Sequence, residues 1–219
     1  MKDVLPQFLE EQAHDTDVFC FQEAPQGMRA SYPNIFADYQ EVTAYKFNSE
    51  TDDFSQATLI KNGIQILSSG SLFNDGPDPY TGLSLYVELQ IGDQRLYICN
   101  VHGSAFPSTK LDDEHRLRHS KTLIDFFKDK AAPVIIGGDF NIHNDTESVS
   151  MFTKNSYQDL IKEFEIKTTR NHLVWDRFPE TPMYYSDYVF VNNEINVKHF
   201  EVIDNEVSDH LPLIIEIEL

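Results

Sequence analysis

Short apolar runs broken by Gly, Asn, Asp and Pro recur along most of the chain, and runs of this length between turn-forming residues predict strands. The pattern places them at 18–22, 57–61, 64–73, 83–91, 94–101, 133–136, 187–191, 197–203 and 211–219. Gly92-Asp93 separates two of these by a two-residue turn and Asn192-Asn193 lies between two others, so both pairs are predicted to be hairpins. Helical spacing is confined to two segments. Val4, Leu5, Phe8 and Leu9 share one face near the start, with Pro6 in the first turn, where its missing N–H is tolerated. The other helix is predicted over 111–128, with Leu117, Leu123, Ile124 and Phe127 as its apolar stripe. Its acids (Asp112, Asp113, Glu114) come first and Lys128 and Lys130 last, the order that suits the helix dipole. Many antiparallel strands and few helices predict an α+β fold of two packed sheets with outer helices. No repeat, low-complexity tract or flexible linker divides the chain, so one domain over 1–219 is expected.

Composition narrows the function. The 219 residues are 41% hydrophobic, enough for a sizeable core, and 17 basic against 36 acidic side chains leave a formal charge of −19. Such a chain does not hold nucleic acid on a broad basic surface, because that affinity comes from neutralised phosphates. A phosphate ester held through a bound cation remains open, since a metal reverses the local field. The first residues lack a signal peptide's apolar core and no later stretch is long enough to span a bilayer, so a soluble cytoplasmic chain is expected. Cys20 and Cys99 lie in apolar runs and are predicted to be buried thiols; no disulfide framework or zinc spacing is present.

The chemistry shows where polar residues interrupt these runs. Glu23 follows Val-Phe-Cys-Phe-Gln, His102 follows Cys-Asn-Val, and Asp139 and Asn141 follow Val-Ile-Ile-Gly-Gly, all at C-terminal strand ends. Asp187 and the Asp209-His210 pair instead precede apolar runs. In an antiparallel sandwich these two sets of ends share a rim, so the groups are predicted to converge. Asp139 and Asn141, two apart, fall on one side of an extended segment, and Gly137-Gly138 suggests close backbone approach to a ligand. Asp209 and His210 point oppositely in a regular strand, so joint service requires irregular backbone there. Carboxylates and an amide without thiolates favour Mg²⁺ or Mn²⁺ over zinc. Ser208-Asp209-His210 is not a hydrolase triad, since triads are spatial and neighbours seldom achieve that geometry.

Cys-Phe-Gln-Glu at 20–23, Asn-Val-His-Gly at 100–103, Gly-Gly-Asp-Phe-Asn at 137–141, Ser-Asp-Tyr-Val-Phe-Val at 186–191 and Ser-Asp-His-Leu-Pro-Leu at 208–213 together resemble the endonuclease/exonuclease/phosphatase superfamily, which includes exonuclease III-like and deoxyribonuclease-like enzymes. The resemblance runs from Val18 to the C-terminus. It implies a four-layer α/β/β/α sandwich and divalent-metal-dependent cleavage of a phosphate ester. It also implies roles: Glu23 and Asp209 as metal ligands, Asp139 as the acid that positions or deprotonates water, and Asn141 as the amide holding a phosphate oxygen. His210 then stands beside the scissile phosphate with Asp187 orienting it, and His102 serves the leaving-group side.

The resemblance departs at the N-terminus. Family members begin with an apolar strand ending in asparagine, whereas this chain opens on what reads as the following helix: either the given start lies downstream of the true one, which changes nothing, or the strand is lacking, which would leave a gap or open edges inside one sheet. Arg170 is a candidate phosphate contact, because guanidinium matches phosphate geometry. The segment with Trp175, Phe178, Tyr184 and Tyr185, just before Asp187, is a candidate recognition loop. The expected activity is phosphodiester cleavage, on a nucleic acid, a nucleotide-like diester or a phosphorylated small molecule. The alternatives are a phosphomonoesterase acting on a soluble metabolite and a non-catalytic interaction domain.

Overall fold

The computed structural model describes residues 4–24, 27–45, 55–73 and 82–219. One layer of the sandwich contains β1 (Val18–Gln22), β2 (Tyr39–Tyr45) and β3 (Ser55–Lys61), paired antiparallel in the order β1-β3-β2. The other is a six-stranded sheet. Its order is β4 (Gln65–Leu72), β5 (Leu83–Ile91), β6 (Gln94–His102), β7 (Val134–Asp139), β9 (Asp187–Asn192) and β8 (Tyr157–Asp159). Only β6 and β7 pair in parallel, because α3 (Glu114–Phe127) carries the chain between them; a hairpin turn cannot. A separate antiparallel pair, β10 (Asn196–Val202) with β11 (Leu213–Glu218), packs on the same core as the six-stranded sheet.

Helices cover the outer faces. Leu5, Phe8 and Leu9 of α1 (Val4–Ala13) meet Phe19, Phe21, Phe36 and Tyr39 in a core of their own. On the opposite outer face Leu123, Ile124 and Phe127 of α3 join the main core, with the Phe127 ring edge-on to Tyr97. The α/β/β/α order is therefore as the resemblance implies.

β1 alternates between these two cores. Phe19 and Phe21 face α1, while Val18 and Gln22 face the six-stranded sheet. Buried Asn100 of β6 ties the layers: its amide donates to the carbonyls of Phe21 (3.1 Å) and Ala57 (3.2 Å), and its oxygen accepts from Gln22 Nε2 at 2.6 Å. A fully partnered polar group here offsets its own desolvation and fixes β1 above β6, which sets where Glu23 emerges.

Several expectations need correction. Gly92-Asp93 does turn a hairpin, with Ile91 opposite Gln94. Asn192-Asn193 does not, because β9 belongs to the six-stranded sheet and β10 to the separate pair. The Asn192 side chain instead binds Val134 N (3.0 Å) and the Ala132 carbonyl (2.9 Å), pinning the start of β7 where the chain changes layer. Gly138 is closely packed: at φ +133° a Cβ there would lie 2.2 Å from the Val101 carbonyl oxygen. Cys99 is buried as expected but Cys20 is exposed. Cys20 shares the inner face of β1 with Val18 and Gln22, and among the described residues nothing pairs with the outer edge of β1 or of β11. No described helix is long and apolar enough to cross a membrane.

Candidate active site

Strand register assembles one rim. His102 ends β6 opposite Asp139, which ends β7, and Asp139 in turn stands opposite Asp187, which begins β9. Three neighbouring strands thus deliver an imidazole and two carboxylates at adjacent positions, each largely buried. Glu23 follows β1, and His210 precedes β11 in an irregular segment, as its adjacency to Asp209 requires. The backbone of His210 forms an isolated bridge with Arg170.

Asp139 is the most heavily bonded acid. Its Oδ1 accepts from the Ser186 hydroxyl and from Asn141 N at 2.7 Å, and its Oδ2 accepts from Asn141 Nδ2 at 2.6 Å. Asn141 reaches it from φ +55°, a left-handed turn rather than the extended segment inferred from spacing. Glu23 (φ +51°) and Lys110 (φ +55°) share that conformation, which is uncommon for residues with a Cβ and gathers at functional sites. His210 Nδ1 lies 2.9 and 3.0 Å from the Asp187 oxygens, and its Nε2 lies 3.8 Å from Asp139 Oδ2. The imidazole therefore bridges two acids.

These contacts set the charges. Burial disfavours the His210 cation, but Asp187 and Asp139 together outweigh it and raise its pKa to about 9. For Asp139, burial favours the neutral acid, yet His210, His102, the Ser186 hydroxyl and Asn141 N–H bring its pKa below the ordinary carboxylate value. For Asp187 burial prevails and its pKa is raised. At neutral pH the group is thus an imidazolium held by Asp187 beside an ionised Asp139. Because His210 is raised in the folded state, its stabilisation is complete below its unfolded value near 6.5 and disappears as pH rises through about 9. Thermal melts are expected to lose up to about 3 kcal/mol of stability across that window, and His210→Asn is expected to flatten the loss; equal slopes in both proteins would remove the assignment.

Among the described residues one trio, Asp139, Asp187 and His210, has ligand atoms within 4.8 Å of one another. The oxygen-rich donors of the rim suit a hard divalent cation. The trio itself already carries a positive charge in the imidazolium, which competes with an ion there. Glu23 differs: its side chain is 68% exposed, and its recorded partner is His102 Nε2, 3.7 Å away. Glu23 and Asp209 do not join any such trio. They follow and precede strands in separate pieces of the divided layer, and Asp209 Oδ2 is held by Arg170 NH2 at 2.8 Å.

The Arg170 guanidinium is buried and gives three of its five N–H groups to the Asp209 carboxylate, the Asp209 carbonyl at 3.1 Å and Ser186 Oγ at 3.5 Å, which ties it first to the site's own acid. Trp175 sits on the short helix α6 (His172–Trp175), donates to the Met183 carbonyl at 3.0 Å and packs on Tyr184. Exposed Phe178 and Tyr184 are the larger open apolar surfaces of that segment. Sequence reasoning missed Ser186, Thr169 and Lys110. The Ser186 hydroxyl binds Asp139, and Thr169 Oγ1 accepts from the N–H groups of Ser186 (3.1 Å) and Asp187 (3.2 Å). The serine lies inside a recognised block and was findable; Lys110, in an unpatterned loop, was not.

A model of the Endonuclease/Exonuclease/phosphatase family matches residues 2–210. Among solved structures, an endonuclease/exonuclease/phosphatase from Bacteroides vulgatus superposes with TM-score 0.77 at 18% identity, covering 100% of this chain and 90% of its own. The mannosyl-6-phosphatase of Bacteroides thetaiotaomicron gives TM-score 0.74 at 18% identity, covering 100% and 91%. The human Nocturnin catalytic domain, with a bound sulfate anion, gives 0.72 at 16%, covering 97% and 86%. No curated protein matches significantly. At these identities the structural likeness shows the fold alone.

Proposed function

The chain belongs to the Endonuclease/Exonuclease/phosphatase family, whose members are metal-dependent hydrolases of phosphate esters, and we propose that this one cleaves a phosphodiester by water attack. The observation that carries the proposal is the Asp187–His210–Asp139 line with Asn141 locked onto its far end.

The roles follow from protonation. Ionised Asp139 positions the attacking water and takes its proton; the fixed donors keep it ionised and aim its oxygens, at some cost in basicity. The His210 imidazolium faces the negative charge that builds on the phosphoryl oxygens, and Asp187 fixes its ring and keeps its proton. His102 stands opposite Asp139 and beside Glu23, where it serves the leaving-group side. A divalent cation, Mg²⁺ or Mn²⁺, would be held by Glu23, with Asp209 as the second acid, and would supply Lewis-acid stabilisation of the phosphate charge. Arg170 positions Asp209, and Trp175 with its neighbours borders the recognition segment.

A panel of phosphodiesters, oligonucleotides and phosphomonoesters with Mg²⁺ or Mn²⁺ tests this reading. Wild-type diesterase activity is expected to vanish with EDTA and to fall about 10²-fold or more in Glu23→Gln, with Mn²⁺ affinity by calorimetry lost in parallel. Unchanged turnover and unchanged Mn²⁺ binding in that variant would refute the ligand assignment. Monoester hydrolysis is the second reading, because a neighbour of this fold is a mannosyl-6-phosphatase; preference for monoesters in the same panel selects it. An intact set of acids, amide and imidazoles argues against a non-catalytic domain.

A further inference from the structure

A phosphate ester entering this rim brings negative charge to a strongly acidic protein, so the local cations matter. Three basic side chains interact near this rim: Lys110 feels Asp139 and also Arg116 and Arg170. Two are committed. Arg170 holds Asp209, and Arg116 donates to the carbonyls of Leu111 (2.7 Å), Ser104 (3.4 Å) and Pro107 (2.7 Å) and to Asp113 Oδ2 (3.4 Å). Lys110 is different. Its ammonium donates to the Ala105 carbonyl at 2.8 Å and to Asn141 Oδ1, which leaves one of its three N–H groups without a partner among the described residues.

The bond to Asn141 has a second consequence. It fixes the amide orientation, so that Oδ1 faces Lys110 and Nδ2 faces Asp139 Oδ2 and, at 3.3 Å, the Gly103 carbonyl. With Asn141 donating to these groups, the spare donor at this end of the line belongs to Lys110. The loop holds Lys110 at φ +55°, anchored by His143 N donating to the Lys110 carbonyl at 3.0 Å. The two acceptors, Asn141 Oδ1 and the Ala105 carbonyl, hold the ammonium beside the site.

We propose that Lys110 is a substrate-binding residue whose free N–H takes a non-bridging phosphoryl oxygen of the ester bound between Asn141 and His210. The assignment deepens the phosphohydrolase reading and rests on it for the identity of the ligand. A charge-assisted hydrogen bond of this kind corresponds to about 10–100-fold in affinity. Burial, opposed by Asp139 and reinforced by Arg116 and Arg170, brings the lysine pKa down to about 8, so the contribution fades in mild alkali.

The test uses inorganic phosphate as the probe, with calorimetric binding to the Mg²⁺-loaded protein alongside steady-state kinetics. At about pH 7, Lys110→Met is expected to weaken phosphate binding by about 10-fold or more and to raise KM more than it lowers kcat, while Lys110→Arg keeps most of the affinity. Near pH 9.5, roughly beyond the lysine's titration, wild type and Lys110→Met are expected to converge. Lys110→Gln, with melting temperature followed in each variant, separates misfolding from lost charge. The proposal is overturned if Lys110→Met binds phosphate within about twofold of wild type at pH 7, if wild type does not bind phosphate, or if the substitution adds nothing in an Asn141→Ala background. That last result would reduce Lys110 to a positioner of the amide. Failure of every ester to turn over would strike the phosphohydrolase reading instead, and the calorimetric result would still decide the lysine.

Discussion

Asp139→Asn is expected to lower kcat by about 10²–10⁴-fold with KM much less affected, because it removes the group proposed to accept a proton in the transition state. The substitution is nearly isosteric, so geometry alone does not predict the loss. Its new amide can still accept from Ser186 and from Asn141 N through one oxygen, but its nitrogen then opposes Asn141 Nδ2, donor against donor. Flipping Asn141 to relieve this turns an N–H toward the Lys110 ammonium. A single oxygen-to-nitrogen exchange therefore has no satisfied arrangement within the site. The same change withdraws one of the two acids that raise His210, so the high-pH limb of activity is expected to move down from about 9. Wild-type kcat in a folded Asp139→Asn protein would exclude Asp139 as the base.

Asp187→Asn is expected to cost a similar factor, about 10²–10⁴ in kcat, by a different route. Asp187 presents both oxygens to His210 Nδ1 and is the largest of the charges sustaining the imidazolium. An amide in its place cannot stabilise the cation to that extent, and the imidazole falls toward its ordinary value near 6.5. At about pH 8 the folded enzyme would then hold mostly neutral imidazole, which does not serve phosphoryl charge as a cation does. Residual activity is expected to recover on acidification, and the His210 ring titration followed by NMR should shift down with it. An unmoved titration would separate Asp187 from His210 despite their contact.

The two acids act differently although both are buried at facing ends of adjacent strands. Asp139 receives hydrogen bonds from a hydroxyl, a main-chain amide and a side-chain amide. Asp187 has the imidazole on its side chain, and its pKa is raised where that of Asp139 is lowered. Environment drives their protonation in opposite directions, a separation no residue type announces.

Strand positions such as 18–22 and 83–91 were legible because a period-two or continuous apolar run bounded by turn residues has few other uses. β2 was missed, since Tyr39–Tyr45 mixes polar and apolar residues and owes its pairing to β3. α4 (Glu147–Lys154) was missed as well. Eight residues make a marginal helix, and its first N–H groups are satisfied from outside, Glu147 N and Ser148 N donating to Asp112. In sequence Asp112 reads as the start of α3, whose cap is Asp113 instead.

From the chain alone came the alternating apolar strands, the α+β class and the strand-end placement of Glu23, His102, Asp139, Asp187 and His210, because period and punctuation are local properties carried by neighbouring residues. Only the folded structure decided that Asn192-Asn193 changes layer, that Arg170 serves Asp209, that Glu23 and Asp209 flank strands of separately paired sheets, and that Lys110 reaches Asn141. Those outcomes depend on distances between segments far apart in sequence and on which polar groups must find partners once water is excluded, and neither is written in any local stretch of residues.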